Sequence, residues 1–109
     1  MAVRNHWTIL EELDPELNHR IEAWRTYLLQ DDDSLERKYR ELINVSMACI
    51  LKQQPVILSH AKLALQYGAK KREILAAVEQ ALTMGGFPSF RAGMLALDEF
   101  FQQIEEAGV

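Results

Sequence analysis

The chain contains few residues that crosslink, break or rigidify a fold: one cysteine, three prolines and five glycines among 109 residues. A single cysteine, Cys49, can form neither an internal disulfide nor a Cys-x-x-Cys redox centre. No apolar run approaches the ~20 residues of a membrane-spanning helix. The net charge of −4 disfavours both nucleic acid and an anionic membrane surface as partners.

The composition indicates an ordinary globular protein. Hydrophobic residues make up 49% of the chain and charged residues 26%, which argues against disorder. The length favours a single domain over residues 1–109. The first thirteen residues include His6, Glu11 and Glu12, so we expect no signal peptide and predict a cytoplasmic protein.

Apolar residues recur at helical spacing, and no alternating strand pattern occurs. Asp14 and Pro15 predict the N-terminus of a helix over about 15–30, and Ser34 is the predicted N-cap of a second over about 35–52. A third helix begins at Pro55 and ends at Gly68. Further helices are predicted over about 72–84 and 88–107, separated by a break at residues 85–88, with a short helical turn at 8–13. The predicted fold class is an all-α bundle of about five to six helices.

The second of these helices is apolar from Leu42 to Leu51, except at Asn44 and Ser46. A helix that is apolar nearly all round is buried on most sides. In so small a domain, only a central position or a subunit interface can bury it. We therefore expect the chain to self-associate.

A set of residues from Glu41 to Pro88 follows one ungapped register, with His60 nineteen residues after Glu41. The elements of this register are Arg40-Glu41-Leu42-Ile43, His60, Gly68-Ala69, Glu73-Ile74, Gln80 and Gly86-Phe87-Pro88. In this pattern the chain resembles the carboxymuconolactone decarboxylase family, which includes the alkylhydroperoxidase-D-like proteins. The resemblance covers about half the chain. It implies an alkylhydroperoxidase-D-like helical fold and a homotrimer or homohexamer.

Departures from the family pattern indicate which branch of the family the chain resembles. The peroxidase branch carries Cys-x-x-Cys where this chain has Gln53 and Val56, and Cys49 lies one helical turn earlier without a partner thiol. Dithiol peroxide reduction needs one thiolate to attack and another to resolve. The chain therefore resembles the decarboxylase branch, which also lacks the cysteines. Ala76 stands where family members often carry an acid.

His60 and Glu41 are the candidate catalytic residues. His60 lies at the centre of its helix's apolar face, where it is either a hydrogen-bonded core histidine or a proton shuttle. Glu41 is either a surface acid paired with Lys38 or, near the buried stretch, a group that orients His60 or an acid with a raised pKa. Simple hairpin geometry offsets the two by roughly six residues, or ~9 Å. That offset argues against contact within one subunit, unless the link is longer or a neighbouring subunit supplies Glu41.

The remaining candidates are weaker. Cys49 is interpreted as a small buried hydrophobic residue rather than a nucleophile. Arg91 is either a solvated arginine or, with the N-terminus of its helix, a binding site for a substrate carboxylate. His6 and His19 show no ligand spacing to each other or to His60, so we predict neither a metal nor a cofactor.

Two functions remain open from the sequence. The first is a cofactor-free lyase or isomerase that acts on a small carboxylated lactone or related acid, with proton transfer by His60 and Glu41. The second is a non-catalytic, oligomeric scaffold or binding protein of the same family. Residual thiol-dependent peroxidase activity through Cys49 is disfavoured.

Overall fold

The computed structural model describes residues 4–106, and these residues form helices joined by short connections, without a strand. The helices are α1 (His6–Leu13), α2 (Pro15–Leu28), α3 (Arg37–Ile50), α4 (Gln54–Gln66) and α5 (Lys71–Glu106). They fall into two units, one ending at Gln30 and one beginning at Asp31. The predicted all-α class is confirmed. None of the helices within this described range is both long and apolar enough to cross a membrane.

The first unit consists of α1 and α2, which pack against each other. The side chain of Asn5 caps α1 by accepting a 2.9 Å hydrogen bond from the Thr8 backbone N–H. The side chain of Asp14 caps α2 by accepting a 3.0 Å bond from the Leu17 N–H. The predicted start at Pro15 is therefore confirmed, and the predicted turn at 8–13 is an eight-residue helix.

The connection before α3 differs from the sequence prediction, in which Ser34 was the N-cap of a helix starting at residue 35. Asp32 Oδ1 instead accepts hydrogen bonds from the backbone N–H groups of Ser34 and Leu35, which holds these residues in a turn. Helix α3 begins two residues later, and its first N–H, that of Arg37, donates to Asp31 Oδ1 at 3.1 Å. The Ser34 cap is wrong because Asp31 and Asp32 take over the local backbone donors.

Helices α3 and α4 are joined by only three residues, 51–53, and pack closely on each other. Lys52 adopts a left-handed conformation with φ 57°. The following N–H, of Gln53, bonds back to Ala48 O at 3.3 Å and closes the end of α3. A connection this short makes α3 and α4 an antiparallel pair.

Helix α5 is interrupted at Gly86, whose φ of 75° and ψ of −170° are not helical. These angles lie in a region that is open essentially to glycine alone. The predicted break at 85–88 is therefore confirmed, with helical segments before and after it. The end of α4 is also as predicted, since Gly68 follows it with φ 99°.

The core of the second unit lies between α3, α4 and α5. Only one side of α3 enters it, through Val45, Ala48 and Cys49. On the other side Met47 is 51% exposed and Leu51 68% exposed. Of the two alternatives for burying this helix, the central position is therefore wrong, because two neighbouring helices cover only one of its faces. Burial in a subunit interface remains a prediction.

Candidate active site

The candidate site is built around Glu41, whose side chain is fully buried on α3. Three side chains donate hydrogen bonds to its carboxylate. Arg37 Nε lies 2.7 Å from Oε2, while His60 Nδ1 lies 2.7 Å and Asn44 Nδ2 3.2 Å from Oε1. A buried carboxylate is tolerated only when it is paired and hydrogen-bonded, and this one meets both conditions.

Helix periodicity and the short link bring these groups together. Arg37 and Asn44 lie four residues before and three after Glu41, so all three share one face of α3. His60 comes from the middle of α4. Glu41 lies nine residues before the end of α3, and His60 lies six residues after the start of α4. The axial offset is therefore roughly three residues, or ~4.5 Å.

The expected ~9 Å offset is wrong, because the prediction ran α3 two residues too far, to Lys52, and began α4 one residue too late, at Pro55. The remaining difference is short enough for the side chains to bridge. Glu41 and His60 therefore meet within a single chain, without a neighbouring subunit.

The carboxyl group of Glu41 has a lowered pKa. Burial alone would raise this pKa, but the hydrogen bonds from His60, Arg37 and Asn44 together outweigh burial and lower it. The sequence-based alternative of an acid with a raised pKa is therefore wrong. Glu41 is a carboxylate at neutral pH, which makes it an acceptor and an orienting group.

An ionised Glu41 fixes the orientation of the His60 ring, because Nδ1 must then carry the hydrogen that it donates. No residue between 4 and 106 bonds to the second ring nitrogen, Nε2. Among the described residues no fully enclosed side-chain nitrogen or oxygen lacks a partner. Nε2 therefore reaches solvent. The His60 side chain is 21% exposed, so the ring is anchored at one nitrogen and open at the other.

Arg37 and Tyr67 belong to this cluster and were missed from the sequence. Arg37 Nη1 donates a 3.3 Å hydrogen bond to the Tyr67 hydroxyl, and the guanidinium lies 4.5 Å from the centre of the Tyr67 ring. Tyr67 follows the last residue of α4. In the antiparallel pair, this end of α4 lies next to the first turn of α3, which contains Arg37. The available signal was the i, i+4 spacing of Arg37 and Glu41.

The neighbouring basic residues have other roles. Lys38 Nζ pairs with Glu73 Oε2 at 3.2 Å, so the alternative pairing of Glu41 with Lys38 is wrong. Glu73 also accepts a 2.9 Å hydrogen bond from the Lys70 N–H at the start of α5. Arg40 binds the preceding turn, including the Leu35 carbonyl at 2.8 Å. Two of the motif residues are therefore bound to backbone groups at helix starts: Arg40 to the turn before α3, and Glu73 to the N–H just before α5.

Cys49 lies in the core with no exposed surface. Burial raises the pKa of its thiol to about 11, which suppresses the reactive thiolate at neutral pH. Its sulfur faces Gly93, where an added Cβ would lie 2.8 Å from Cys49 Sγ. The interpretation of Cys49 as a small buried residue agrees with this position.

Arg91 is exposed on the segment after Gly86, in an open, mainly apolar pocket of about 560 Å³. The residues that line it are Phe87, Pro88, Phe90, Arg91, Met94 and Leu95. Neither His60 nor Glu41 lines this pocket, so the structure does not bring the three predicted site residues together. Carboxylate binding by Arg91 remains a prediction. Across residues 4–106 no three His, Cys, Asp or Glu side chains cluster in a way that would hold a metal ion.

The fold and the site define an all-helical protein with a buried glutamate that holds a histidine on the next helix. The chain belongs to the carboxymuconolactone decarboxylase family, whose model matches residues 15–99. No curated protein matches the chain.

Two solved structures share the fold. A proposed carboxymuconolactone decarboxylase from Burkholderia xenovorans LB400 is 21% identical and superposes with a TM-score of 0.79, over 97% of this chain and 85% of its own. A carboxymuconolactone decarboxylase family protein from Legionella pneumophila is 25% identical, also with a TM-score of 0.79, over 87% of this chain and 84% of its own.

Proposed function

We propose that this protein is a cofactor-free lyase or isomerase of the cytoplasm, which acts on a small carboxylated lactone or related acid. The observation that carries the proposal is the bond between His60 Nδ1 and the buried, ionised Glu41, together with a second ring nitrogen that reaches solvent. A general acid–base histidine needs one nitrogen fixed and the other open toward substrate. Membership of the carboxymuconolactone decarboxylase family supports the choice of reaction.

In the proposed reaction, the bond between a ring carbon and a carboxylate breaks, and carbon dioxide leaves. The electron pair moves into the conjugated lactone carbonyl and forms an enolate. His60 Nε2 then delivers a proton to carbon, which restores the carbonyl and shifts the double bond. The protonated ring carries a positive charge until that step, and the Glu41 carboxylate at 2.7 Å offsets it. One proton is taken up from solvent for each carbon dioxide released.

The test is a screen of small carboxylated γ-lactones, followed by carbon dioxide release and by NMR of the product. In deuterium oxide the product should contain one new carbon-bound deuterium. His60→Gln should lower the turnover rate by about 10²- to 10⁴-fold, which is the usual contribution of a general acid–base group. His19→Gln is the matched control, because His19 is an exposed histidine of α2. A folded His60→Gln protein with full turnover would overturn the proposal.

The alternative is an oligomeric scaffold or binding protein. It is favoured by the exposed apolar face formed by α3 and the residue that follows it, where Tyr39, Ile43, Met47, Ile50 and Leu51 are all at least 40% exposed. We propose that this face, the α3 stripe, joins copies of the chain as a homotrimer or homohexamer. Self-association is compatible with both functions, so the lactone screen separates them.

A further inference from the structure

Tyr67 is held in place by the backbone at the end of α4. Its N–H donates to Leu63 O at 3.0 Å, and Gly68 follows it in a left-handed conformation with φ 99°. The chain then turns back, so that the Ala69 N–H donates to Ala64 O at 2.9 Å across Tyr67. These bonds fix the backbone on both sides of Tyr67, and they give a role to Gly68 and Ala69, two residues of the sequence register.

The Tyr67 side chain contacts the guanidinium of Arg37 in two ways. The hydroxyl accepts a 3.3 Å hydrogen bond from Nη1, and the guanidinium lies over the ring, with 4.5 Å between Arg37 Cζ and the ring centre. The hydrogen bond fixes one nitrogen, and the ring restricts the position of the whole group. Both contacts hold an Arg37 side chain that is 19% exposed and therefore still accessible to water.

Arg37 in turn determines which oxygen of Glu41 faces His60. Its Nε occupies Oε2 at 2.7 Å, which leaves Oε1 for the 2.7 Å bond from His60 Nδ1. Asn44 donates to the same Oε1 at the longer distance of 3.2 Å. A carboxylate bound at one oxygen can rotate about its last side-chain bond, whereas one bound at both oxygens is fixed. The Arg37 bond therefore sets the plane in which Oε1 meets the imidazole.

The contacts between α3 and α4 at this site are linked through one ion pair. Arg37 and Glu41 are one turn apart on α3, and His60 and Tyr67 are about two turns apart on α4. Tyr67 contacts Arg37, and His60 contacts Glu41. The second contact depends on the first, because the Arg37 guanidinium that Tyr67 holds is the group bound to Glu41.

We infer that Tyr67 is a positioning residue of this site, which acts on His60 through Arg37 and Glu41. The inference rests on the proposed function, because the residue that it positions is the proposed proton donor. Without the Tyr67 contacts, water competes for the guanidinium, which loosens the bond to Oε2 and the fixed direction of Oε1. The His60 ring then spends less time in its productive orientation, so proton transfer slows while substrate binding is unchanged.

Tyr67→Phe and Tyr67→Leu separate the two contacts. Phenylalanine keeps the ring next to the guanidinium and removes the hydroxyl, whereas leucine removes both. Neither variant removes a group that bonds to Glu41. NMR measures how fast the hydrogen on His60 Nδ1 exchanges with solvent, which reports how tightly Glu41 holds it. We expect exchange to be about two- to tenfold faster in Tyr67→Phe, the worth of one hydrogen bond, and faster still in Tyr67→Leu.

Turnover of a lactone substrate gives the second measurement. The value of kcat should fall by about two- to tenfold in Tyr67→Phe and by about tenfold or more in Tyr67→Leu, with KM unchanged within about twofold. A tyrosine with only a structural role would lower the unfolding free energy and leave both the exchange rate and kcat unchanged. The matched controls are Tyr27→Phe and Tyr27→Leu, at a tyrosine of α2 that is 70% exposed.

The outcome is separable from that of the proposed function. Faster Nδ1 exchange in the Tyr67 variants supports the positioning role even if no lactone is turned over, a result that removes the lyase. Turnover that needs His60 but has the same kcat in both folded Tyr67 variants supports the lyase and overturns the positioning role. An unchanged exchange rate in folded Tyr67→Leu also overturns it, and Tyr67→Phe decides alone if the leucine variant does not fold.

Discussion

The imidazole of His60 and the carboxylate of Glu41 lie 2.7 Å apart, and the carboxylate that accepts this bond has no exposed surface. Water therefore cannot replace His60 as a partner without opening the contact between α3 and α4. The ring is held in one tautomer, with hydrogen on Nδ1, for as long as Glu41 is ionised. This relationship leads directly to the first prediction.

Glu41→Gln should release the ring from its fixed tautomer, because an amide both donates and accepts whereas a carboxylate only accepts. In the wild type, nitrogen-15 NMR of the neutral ring should show hydrogen on Nδ1 alone. In the variant it should show a mixture, and lactone turnover should fall by about 10²-fold or more. The control is Glu79→Gln, at an exposed acid paired with Arg72. It should change neither the position of the ring hydrogen nor the rate of lactone turnover. An unmixed Nδ1–H signal in folded Glu41→Gln would contradict the role of Glu41 as orienting group.

The second prediction concerns stability and pH. The pKa of Glu41 is lowered in the folded protein from 4.5, so its ionisation stabilises the fold. That contribution is complete above about pH 4.5 and is lost as the pH falls through the lower, folded pKa. The difference in unfolding free energy between wild type and Glu41→Gln should therefore be largest near pH 7 and shrink below pH 4.5. Urea unfolding of both proteins at pH 7, 4.5 and 3.5 measures this difference in free energy. A difference that stays constant with pH would contradict the lowered pKa of Glu41.

The third prediction is that Cys49 is unreactive and dispensable for activity. With a thiol pKa of about 11, a maleimide should label the native protein slowly at pH 8 and the urea-unfolded protein rapidly. Cys49→Ala should lower the unfolding free energy by about 1 kcal/mol and leave lactone turnover unchanged. Complete loss of turnover in a folded Cys49→Ala protein would restore the thiol hypothesis.

The fourth prediction is an energetic coupling between Cys49 and Gly93. A Cβ at Gly93 would overlap Val78 Cγ1 and lie 2.8 Å from Cys49 Sγ. Gly93→Ala should therefore destabilise the protein by about 1–3 kcal/mol, although alanine favours a helix more than glycine does. Cys49→Ala removes one of the two obstacles, so it should cost less in the Gly93→Ala background than in the wild type. A double-mutant cycle by urea unfolding measures this coupling, and strict additivity would contradict the close approach.

The fifth prediction tests the α3 stripe. Light scattering at micromolar concentration should give a mass of three or six times the 12.5 kDa chain. Met47→Glu places a charge on the stripe, where the side chain is 51% exposed, and should shift the protein toward monomer without unfolding it. Leu13→Glu, at a 77% exposed residue of α1, is the control. A wild type that remains monomeric would remove the proposal.

Most helix positions were predictable because periodicity, Asp14 with Pro15, Gly68 and Gly86 act locally. The motif spacing likewise singled out Glu41 and His60 before any contact was known. Their direct contact was not predictable, because it depends on where the link between α3 and α4 begins and ends. Placing the end of α3 two residues too late and the start of α4 one residue too late doubled the expected offset.

Arg37 was missed for a different reason. It lies in a run of basic residues with Lys38 and Arg40, and its i, i+4 spacing to Glu41 competes with the i, i+3 spacing of Lys38 to the same acid. Their roles diverge only when α3 is placed against its surroundings: Arg37 meets Tyr67, Lys38 meets Glu73, and Arg40 faces the preceding turn. Long-range partners decide the function of each, and a charge pattern in sequence carries no such information.

The three-residue link with its left-handed Lys52 also sets how the site tolerates change in chain length. Surface loops usually accept insertions with little loss. Here Arg37 and Tyr67 lie fifteen residues on either side of Lys52, so the link fixes which turns of α3 and α4 stand opposite each other. An added residue would move Tyr67 and His60 together relative to Arg37 and Glu41. Insertions at residues 51–53 should therefore abolish the Arg37–Tyr67 and Glu41–His60 hydrogen bonds together, while leaving α3 and α4 helical.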